Sequence, residues 1–310
     1  MQERAKKILI FYNPISGRGQ SKSVAADFAE KLKGKNYPIL LMESKRSSDE
    51  YLQILSEITD SSLIIVVGGD GTLLNMLPLL ATSKVPVFMI PSGNESLFAQ
   101  IYGMNKSFAQ LSNALENGEV LQQYYGLIST TTPNNKTTST VPFYIMASMG
   151  LDSLTVRNIG KRSTPINDFT YIKYGLKALL TLHHPLVSIT VDGSTILEKE
   201  QGYFIVANSA SYAHNLQLVP QASPSERRLD LGFLPNANIL HELKKSYWMA
   251  RYQPAKLPMQ YYSGEKIEIT LHSPDYPLQV DGEYFGLKEI SAGSKVTFSL
   301  AETPINVLCP

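Results

Sequence analysis

The chain has 310 residues, with 28 Lys and Arg against 27 Asp and Glu, a formal net charge of +1 and 43% hydrophobic residues. That balance excludes an intrinsically disordered chain and gives no electrostatic footprint for binding nucleic acid. The single cysteine, Cys309, excludes a disulfide framework and a cysteine-rich zinc site, so a reducing, cytoplasmic setting is the default expectation.

At roughly 150 residues per domain the length predicts two domains. The apolar run Ile8 to Tyr12 is too short for a signal-peptide core. No apolar stretch approaches the roughly 20 residues that span a bilayer, so the expectation is a chain that is soluble or at most peripheral to a membrane.

In chain order, Ile8 to Tyr12 reads as a buried strand ended by Asn13-Pro14. Ser21 to Leu32 follows as an amphipathic helix with Val24, Ala25, Phe28, Ala29 and Leu32 on one face. Pro38 to Met42, Ser62 to Val67 and Val85 to Ile90 read as further strands. Asp49 to Ile58, Leu73 to Ala81, Leu97 to Met104 and Ser107 to Asn117 read as helices between and after them. Alternating strands and helices imply a parallel sheet with helices on both faces, an α/β domain over residues 1–125.

After Tyr125 the pattern changes. Ser129 to Thr140 is rich in Ser, Thr and Asn and reads as an exposed loop. Short strand-like runs follow at Phe143 to Ala147, Val187 to Val191, Tyr203 to Ala207, Leu229 to Leu234, Lys266 to Leu271, Leu278 to Val280 and Lys295 to Leu300. Several alternate with period two, as half-buried antiparallel strands do. Helical patterns interrupt them at Ile166 to His184 and Ile239 to Tyr252. Residues 126–295 are therefore expected to form a β-sandwich with inserted helices, and the final strand, from about Lys295, to return to the first domain.

Three segments of the first half carry chemistry. Gly68-Gly69-Asp70-Gly71-Thr72 ends a strand and opens a helix, where glycines bring backbone N–H groups against phosphate oxygens. Asp70 would repel a bare phosphate and suits a metal ion or its water shell. The alternative is an ordinary strand-to-helix turn. Asn13-Pro14-Ile15-Ser16-Gly17 ends the first strand, and Pro91-Ser92-Gly93-Asn94 ends the fourth. Loops at the carboxyl ends of parallel strands are where open α/β sheets bind ligands, so the three ends predict a nucleotide crevice.

With these residues in place, the chain resembles the diacylglycerol-kinase catalytic-domain family of lipid kinases, which is related to NAD kinases. The resemblance runs through Asn13-Pro14…Ser16-Gly17, Gly68-Gly69-Asp70-Gly71-Thr72, Pro91-x-Gly93, Gly150-Leu151-Asp152 and Asp281-Gly282-Glu283, in that order. It implies ATP held by Asn13, Pro14, Ile15, Ser16, Gly17, Ser44, Gly68, Gly69, Gly71, Thr72, Asn75, Gly93 and Asn94, and a catalytic base at Glu283. A carboxylate at Glu283 could take the proton of a lipid hydroxyl as it attacks the γ-phosphate. Asp281 would hold Mg²⁺ through water, as Asp70 would at the nucleotide. Without the resemblance, Asp281-Gly282 reads first as a hairpin turn.

The resemblance also implies a structural Mg²⁺ site at Ser223, Glu226 and Arg228, the outer two through backbone carbonyls. Here Glu226 stands where the family has Asp and Arg227 where it has Gly, and a solvated charge cluster is an equal reading. Asn75 and Leu97 stand at two further positions where the family carries acidic groups, with Glu95 as a partial substitute. The expected activity is ATP-dependent phosphorylation of a lipid hydroxyl, diacylglycerol first. The rivals are a soluble acceptor such as NAD and an inactive lipid- or nucleotide-binding relative.

The partner is then a lipid at a membrane surface, met peripherally on the cytoplasmic side, and a homodimer is compatible with the reading. The mixed basic and aromatic stretch Leu240 to Lys256, with Trp248, suits a bilayer interface or simple packing on the sandwich.

Overall fold

The computed structural model describes residues 6–44, 51–92, 96–134, 136–138, 140–160, 174, 183–211, 217–236, 256–284 and 290–310. The chain forms two units, Met1–Tyr125 with Glu302–Pro310, and Gly126–Ala301.

The first unit runs β1 (Lys7–Tyr12), α1 (Ser21–Gly34), β2 (Ile39–Glu43), α2 (Tyr51–Thr59), β3 (Ser61–Gly68), α3 (Asp70–Leu74), α4 (Leu77–Ser83), β4 (Val87–Pro91), α5 (Leu97–Ile101), α6 (Phe108–Asn117) and β5 (Val120–Gln123). Its sheet has the order β2-β1-β3-β4, then Ile305–Leu308, then β5. The first four strands are parallel. Ile305–Leu308 joins parallel to β4 and antiparallel to β5.

Sequence explains the layering. In β1 and β3 nearly every residue is apolar and buried, as strands covered on both faces must be. Helix α1 buries Ala25, Phe28, Ala29 and Leu32, one stripe at helical spacing. The strand order reverses at β1, so right-handed crossovers send α1 to one face and α2 to the other. The Leu73 to Ala81 pattern breaks into α3 and α4 at Asn75-Met76, with Pro78 in the first turn of α4.

The second unit contains β6 (Gly126–Thr131), β7 (Val141–Phe143), β8 (Met146–Met149), α7 (Leu151–Gly160), β9 (Leu186–Val191), β10 (Ser194–Ala207), β11 (Leu229–Pro235), β12 (Gln260–Gly264), β13 (Lys266–Leu271), β14 (Gln279–Val280), β15 (Glu283–Tyr284) and β16 (Lys295–Leu300). All its strand pairs are antiparallel. Strand β10 links two sets of partners. Ser194 to Gln201 pairs with β9, leading on through β13, β16 and β6 to β7. Gly202 to Ala207 pairs with β8 and β11. The two inner faces close on a core that includes Phe143, Phe204, Phe233, Ile267 and Phe298.

The structure refines several sequence expectations. The Phe143 to Ala147 run is two strands, β7 and β8, parted at Tyr144-Ile145. The final strand is also two: Lys295–Leu300 stays in the second unit and only Ile305–Leu308 enters the first sheet. The Ser129 to Thr140 stretch continues β6 to Thr131, which bridges Thr137 across a hairpin. The helical patterns at Ile166 to His184 and Ile239 to Tyr252 lie almost wholly outside the described residues, as does the mixed stretch around Trp248. Among the described residues, no helix is long and apolar enough to cross a membrane.

Candidate functional site

The reversal of strand order between β1 and β3 sends their outgoing connections to opposite faces and opens a crevice beyond their carboxyl ends. The ends are level: Tyr12 lies opposite Val67, and Gly68 opposite Pro91. After Tyr12 the chain turns at once. The Ile15 N–H donates to Asn13 Oδ1 at 3.2 Å and the Ser16 N–H to the Asn13 carbonyl at 3.0 Å. The turn Ser16–Gly19 then packs against the end of β4. Gly17 has φ +59°, and a Cβ there would stand 2.2 Å from the Ser92 carbonyl oxygen, so only glycine fits. Ser16 Oγ lies 3.4 Å from Thr72 Oγ1, within hydrogen-bond reach of the Gly68–Thr72 loop. The Ser92 N–H donates to the Gly68 carbonyl at 2.9 Å.

The structure thus brings Asn13, Pro14, Ile15, Ser16, Gly17, Gly68, Gly69, Gly71 and Thr72 to one edge. Ser44 joins them, its N–H donating to the Tyr12 carbonyl at 2.8 Å, and exposed Asn75 follows α3. Gly93 and Asn94, with Glu95, lie outside the described residues. Sequence reasoning passed over Ser92, quoted only as part of its loop. Its hydroxyl is buried and has no hydrogen-bond partner, which costs about 1–3 kcal/mol.

Asp70, expected to meet a metal ion or its water shell, also binds the protein backbone. Its carboxylate accepts the Leu97 N–H at 2.8 Å, the Phe98 N–H at 3.0 Å and the Ser96 hydroxyl at 3.3 Å. It therefore closes the open N-terminus of α5, supplying the capping bond that Ser96 does not make. Its charge is used on the backbone.

In the second unit, Asp281 and Gly282 have φ +48° and +82°, the two left-handed residues of a tight hairpin turn between β14 and β15. Glu283 is the first residue after that turn, paired with Val280. Asp281 was expected to hold Mg²⁺. In the structure its carboxylate accepts three successive backbone N–H groups, Tyr144 at 2.7 Å, Ile145 at 2.8 Å and Met146 at 2.8 Å. Consecutive amides of this kind form an anion nest, and Asp281 fills it. Its own N–H donates to the Met146 carbonyl at 2.8 Å. Asp281 is thus a positioning group for the turn that carries Glu283. Among the described residues, no three His, Cys, Asp or Glu side chains gather to hold a metal ion.

Behind the turn lies a buried polar group that the sequence did not reveal. Asp152, at the start of α7, accepts from the Ser148 hydroxyl, from the Ser153 N–H at 2.7 Å and from Gln279 Nε2 at 3.2 Å. Burial pushes its carboxyl above the ordinary range, and hydrogen bonds from Ser148, Ser153, Tyr203 and Gln279 pull partly back.

Comparison with known proteins places this geometry. Residues 7–126 match the family described as diacylglycerol kinase catalytic domain. Residues 145–296 match the YegS C-terminal NAD kinase beta sandwich-like domain. Residues 7–126 thus carry a match to a diacylglycerol kinase catalytic domain. It is 24% identical over 289 residues to a diacylglycerol kinase of Bacillus subtilis, covering 91% of each chain. With one of Staphylococcus epidermidis it shares 25% over 292 residues, covering 92% of this chain and 87% of that one. Among solved structures, a diacylglycerol kinase of Bacillus anthracis superposes with TM-score 0.69 at 17% identity, over 100% of this chain and 99% of that one. Yeast NADH kinase complexed with NADH gives TM-score 0.58 at 13% identity, over 100% and 84%. At these identities the two structures establish a shared fold. The catalytic-domain match supports a phosphotransferase that uses a nucleotide.

The structural Mg²⁺ segment implied by the resemblance does not fit a divalent cation. Arg228 Nη1 lies 2.9 Å from the Glu226 carboxylate, and Arg228 Nε 3.4 Å from Asp230, which is 1% exposed. The Ser223 carbonyl accepts the Glu226 N–H at 3.0 Å. A guanidinium already occupies the acidic side chain a cation would need, and a second positive charge there would be repelled.

Proposed function

We propose that this kinase transfers the γ-phosphate of ATP, bound as its magnesium complex, to the hydroxyl of a membrane lipid, diacylglycerol being the first acceptor to test. The observation that carries the nucleotide part is the joining of three strand ends at the reversal of the first sheet. The lipid part is supported by relatives named diacylglycerol kinase that align over about nine-tenths of the chain.

In the proposed reaction Glu283 accepts the hydroxyl proton as that oxygen attacks the γ-phosphorus. The bond from phosphorus to the β–γ bridging oxygen breaks and ADP leaves with its electron pair. Asn13 to Gly17, Ser44, Gly68 to Asn75, Gly93 and Asn94 would line the nucleotide. Asp70 and Asp281 would hold Mg²⁺ or its water shell while their carboxylates also fix the backbone amides they accept from. The lipid would be met at the cytoplasmic face of a membrane, by a chain acting alone or as a homodimer, with no nucleic-acid partner.

The test offers γ-labelled ATP with diacylglycerol, sphingosine, ceramide, phosphatidylglycerol and NAD in parallel. Label in diacylglycerol supports the proposal. Label in NAD alone moves the chain to soluble acceptors, and ATP binding without transfer to any acceptor makes it a nucleotide-binding relative.

A further inference from the structure

The turn that carries Glu283 is held from two sides, and only one is Asp281. On the other side, Gln279 Oε1 accepts the Gly282 N–H at 2.9 Å, one residue before the proposed base. The same side chain donates through Nε2 to Ser148 Oγ at 2.8 Å and to Asp152 Oδ2 at 3.2 Å. Ser148 in turn donates to Asp152. Gln279 is 1% exposed and Ser148 fully buried. Every polar atom of this amide is thus engaged, with its carbonyl toward the turn and its NH₂ toward a fixed anchor on β8 and α7. A buried network in which each group is satisfied holds one arrangement, because any other leaves a donor or acceptor stranded.

A hydrophobic residue at position 279 would leave the Gly282 N–H and the Ser148–Asp152 pair without this amide. The bond matters because the turn is tight. Only Gly282 separates the Asp281 clamp from Glu283, so both sides of the turn must be held for the Glu283 backbone to keep its place. We infer that Gln279 is a positioning residue for Glu283, aligning the proposed base through the Gly282 amide from an anchor at Ser148 and Asp152. This rests on the reading of Glu283 as the base. It predicts a defect in turnover without one in nucleotide binding, since displacing a reacting group by about 1 Å costs on the order of 100-fold.

The experiment measures kcat and KM for ATP in the full-length chain, with γ-labelled ATP and a short-chain diacylglycerol in mixed micelles, for Gln279→Met, Glu283→Gln and the double variant. Hydrogen exchange over 279–284 is followed in parallel. The expected result is a kcat for Gln279→Met lowered by roughly 10- to 100-fold. KM for ATP should stay within about two-fold, exchange at Gly282 should be faster, and Gln279→Met should add no loss in the Glu283→Gln background. Ser148→Ala, which removes the anchor but keeps the Gly282 bond, should show the same split to a smaller degree and guards against a Gln279 variant that fails to fold.

Turnover lost in Glu283→Gln but kept in Gln279→Met, or equal losses from Gln279→Met in both backgrounds, would overturn the positioning role alone. Full turnover by Glu283→Gln overturns the base reading and this inference with it. Absence of transfer by the unaltered chain overturns both before any variant is compared.

Discussion

Two aspartates, one in each unit, follow a strand beside glycine and use their charge in contrasting ways. Asp70 reaches forward 27 and 28 residues to the open amides of a five-residue helix. Asp281 reaches back more than 130 residues into a nest of three consecutive amides at the break between β7 and β8. A short helix has other ways to satisfy its first turn, including water. Three converging amides opposite a tight turn call for one acceptor set between them. The same side chain is therefore an adjustable cap in one unit and a structural pin in the other.

Breaking the pin should give the largest effect. Asp281→Ala is expected to lower stability by about 3–4 kcal/mol, read by urea denaturation, because three N–H groups lose a charged acceptor. Asp70→Ala is expected to cost about 1–2 kcal/mol in the same assay, within the range of a lost helix cap. Equal losses would erase the contrast.

Ser92→Ala sharpens the nucleotide half of the picture. It removes an unpaired hydroxyl, so stability should be unchanged or slightly raised, while ATP affinity by calorimetry should fall about 2- to 10-fold, the worth of one hydrogen bond. Unaltered ATP affinity would remove Ser92 from the crevice.

Asp152 gives a pH signature. Its folded pKa is raised, so the native state holds that proton more tightly than the unfolded chain. Its contribution to stability is greatest below the ordinary carboxylate range and falls as pH rises from there through the raised value. Asp152→Asn should flatten that part of the stability–pH curve in thermal melts.

The smallest effect is expected at the Glu226–Arg228–Asp230 cluster. Glu226→Gln should cost at most about 1 kcal/mol, since the Arg228–Glu226 pair is partly solvated. Adding Mg²⁺ without nucleotide should leave the melting temperature of the unaltered chain unchanged. A magnesium-dependent rise abolished by Glu226→Gln would restore a cation there.

What the sequence made legible follows the range of the interactions. Strands β1 and β3 and helix α1 were readable because their apolar runs and stripes are local. The meeting of the Asn13 and Gly68 loops was readable because parallel strands end on one edge. Helix α7 was passed over because β8 runs into it with only Gly150 between, and the Gly150-Leu151-Asp152 string was noted as a motif without its helix. The roles of Asp70 and Asp281 could not be read locally, since glycine beside aspartate looks the same whether the carboxylate meets a cation or distant amides. Gln279 and Ser148 gave no signal at all. They are ordinary strand residues until a fold places them 131 positions apart in sequence and 2.8 Å apart in space.

The strand Ile305–Leu308 has a consequence for how the molecule is made. It lies between β4 and β5, both of which leave the ribosome more than 170 residues earlier. The nucleotide-bearing sheet therefore waits, with a gap between two of its strands, while the whole of the second unit is synthesised. Until the gap fills, β4 and β5 each present an unpaired edge, the form of backbone most prone to stray pairing. The sandwich can mature as it emerges. The first sheet is completed only after the second unit, so a translation product interrupted before Ile305 would carry that sheet unfinished.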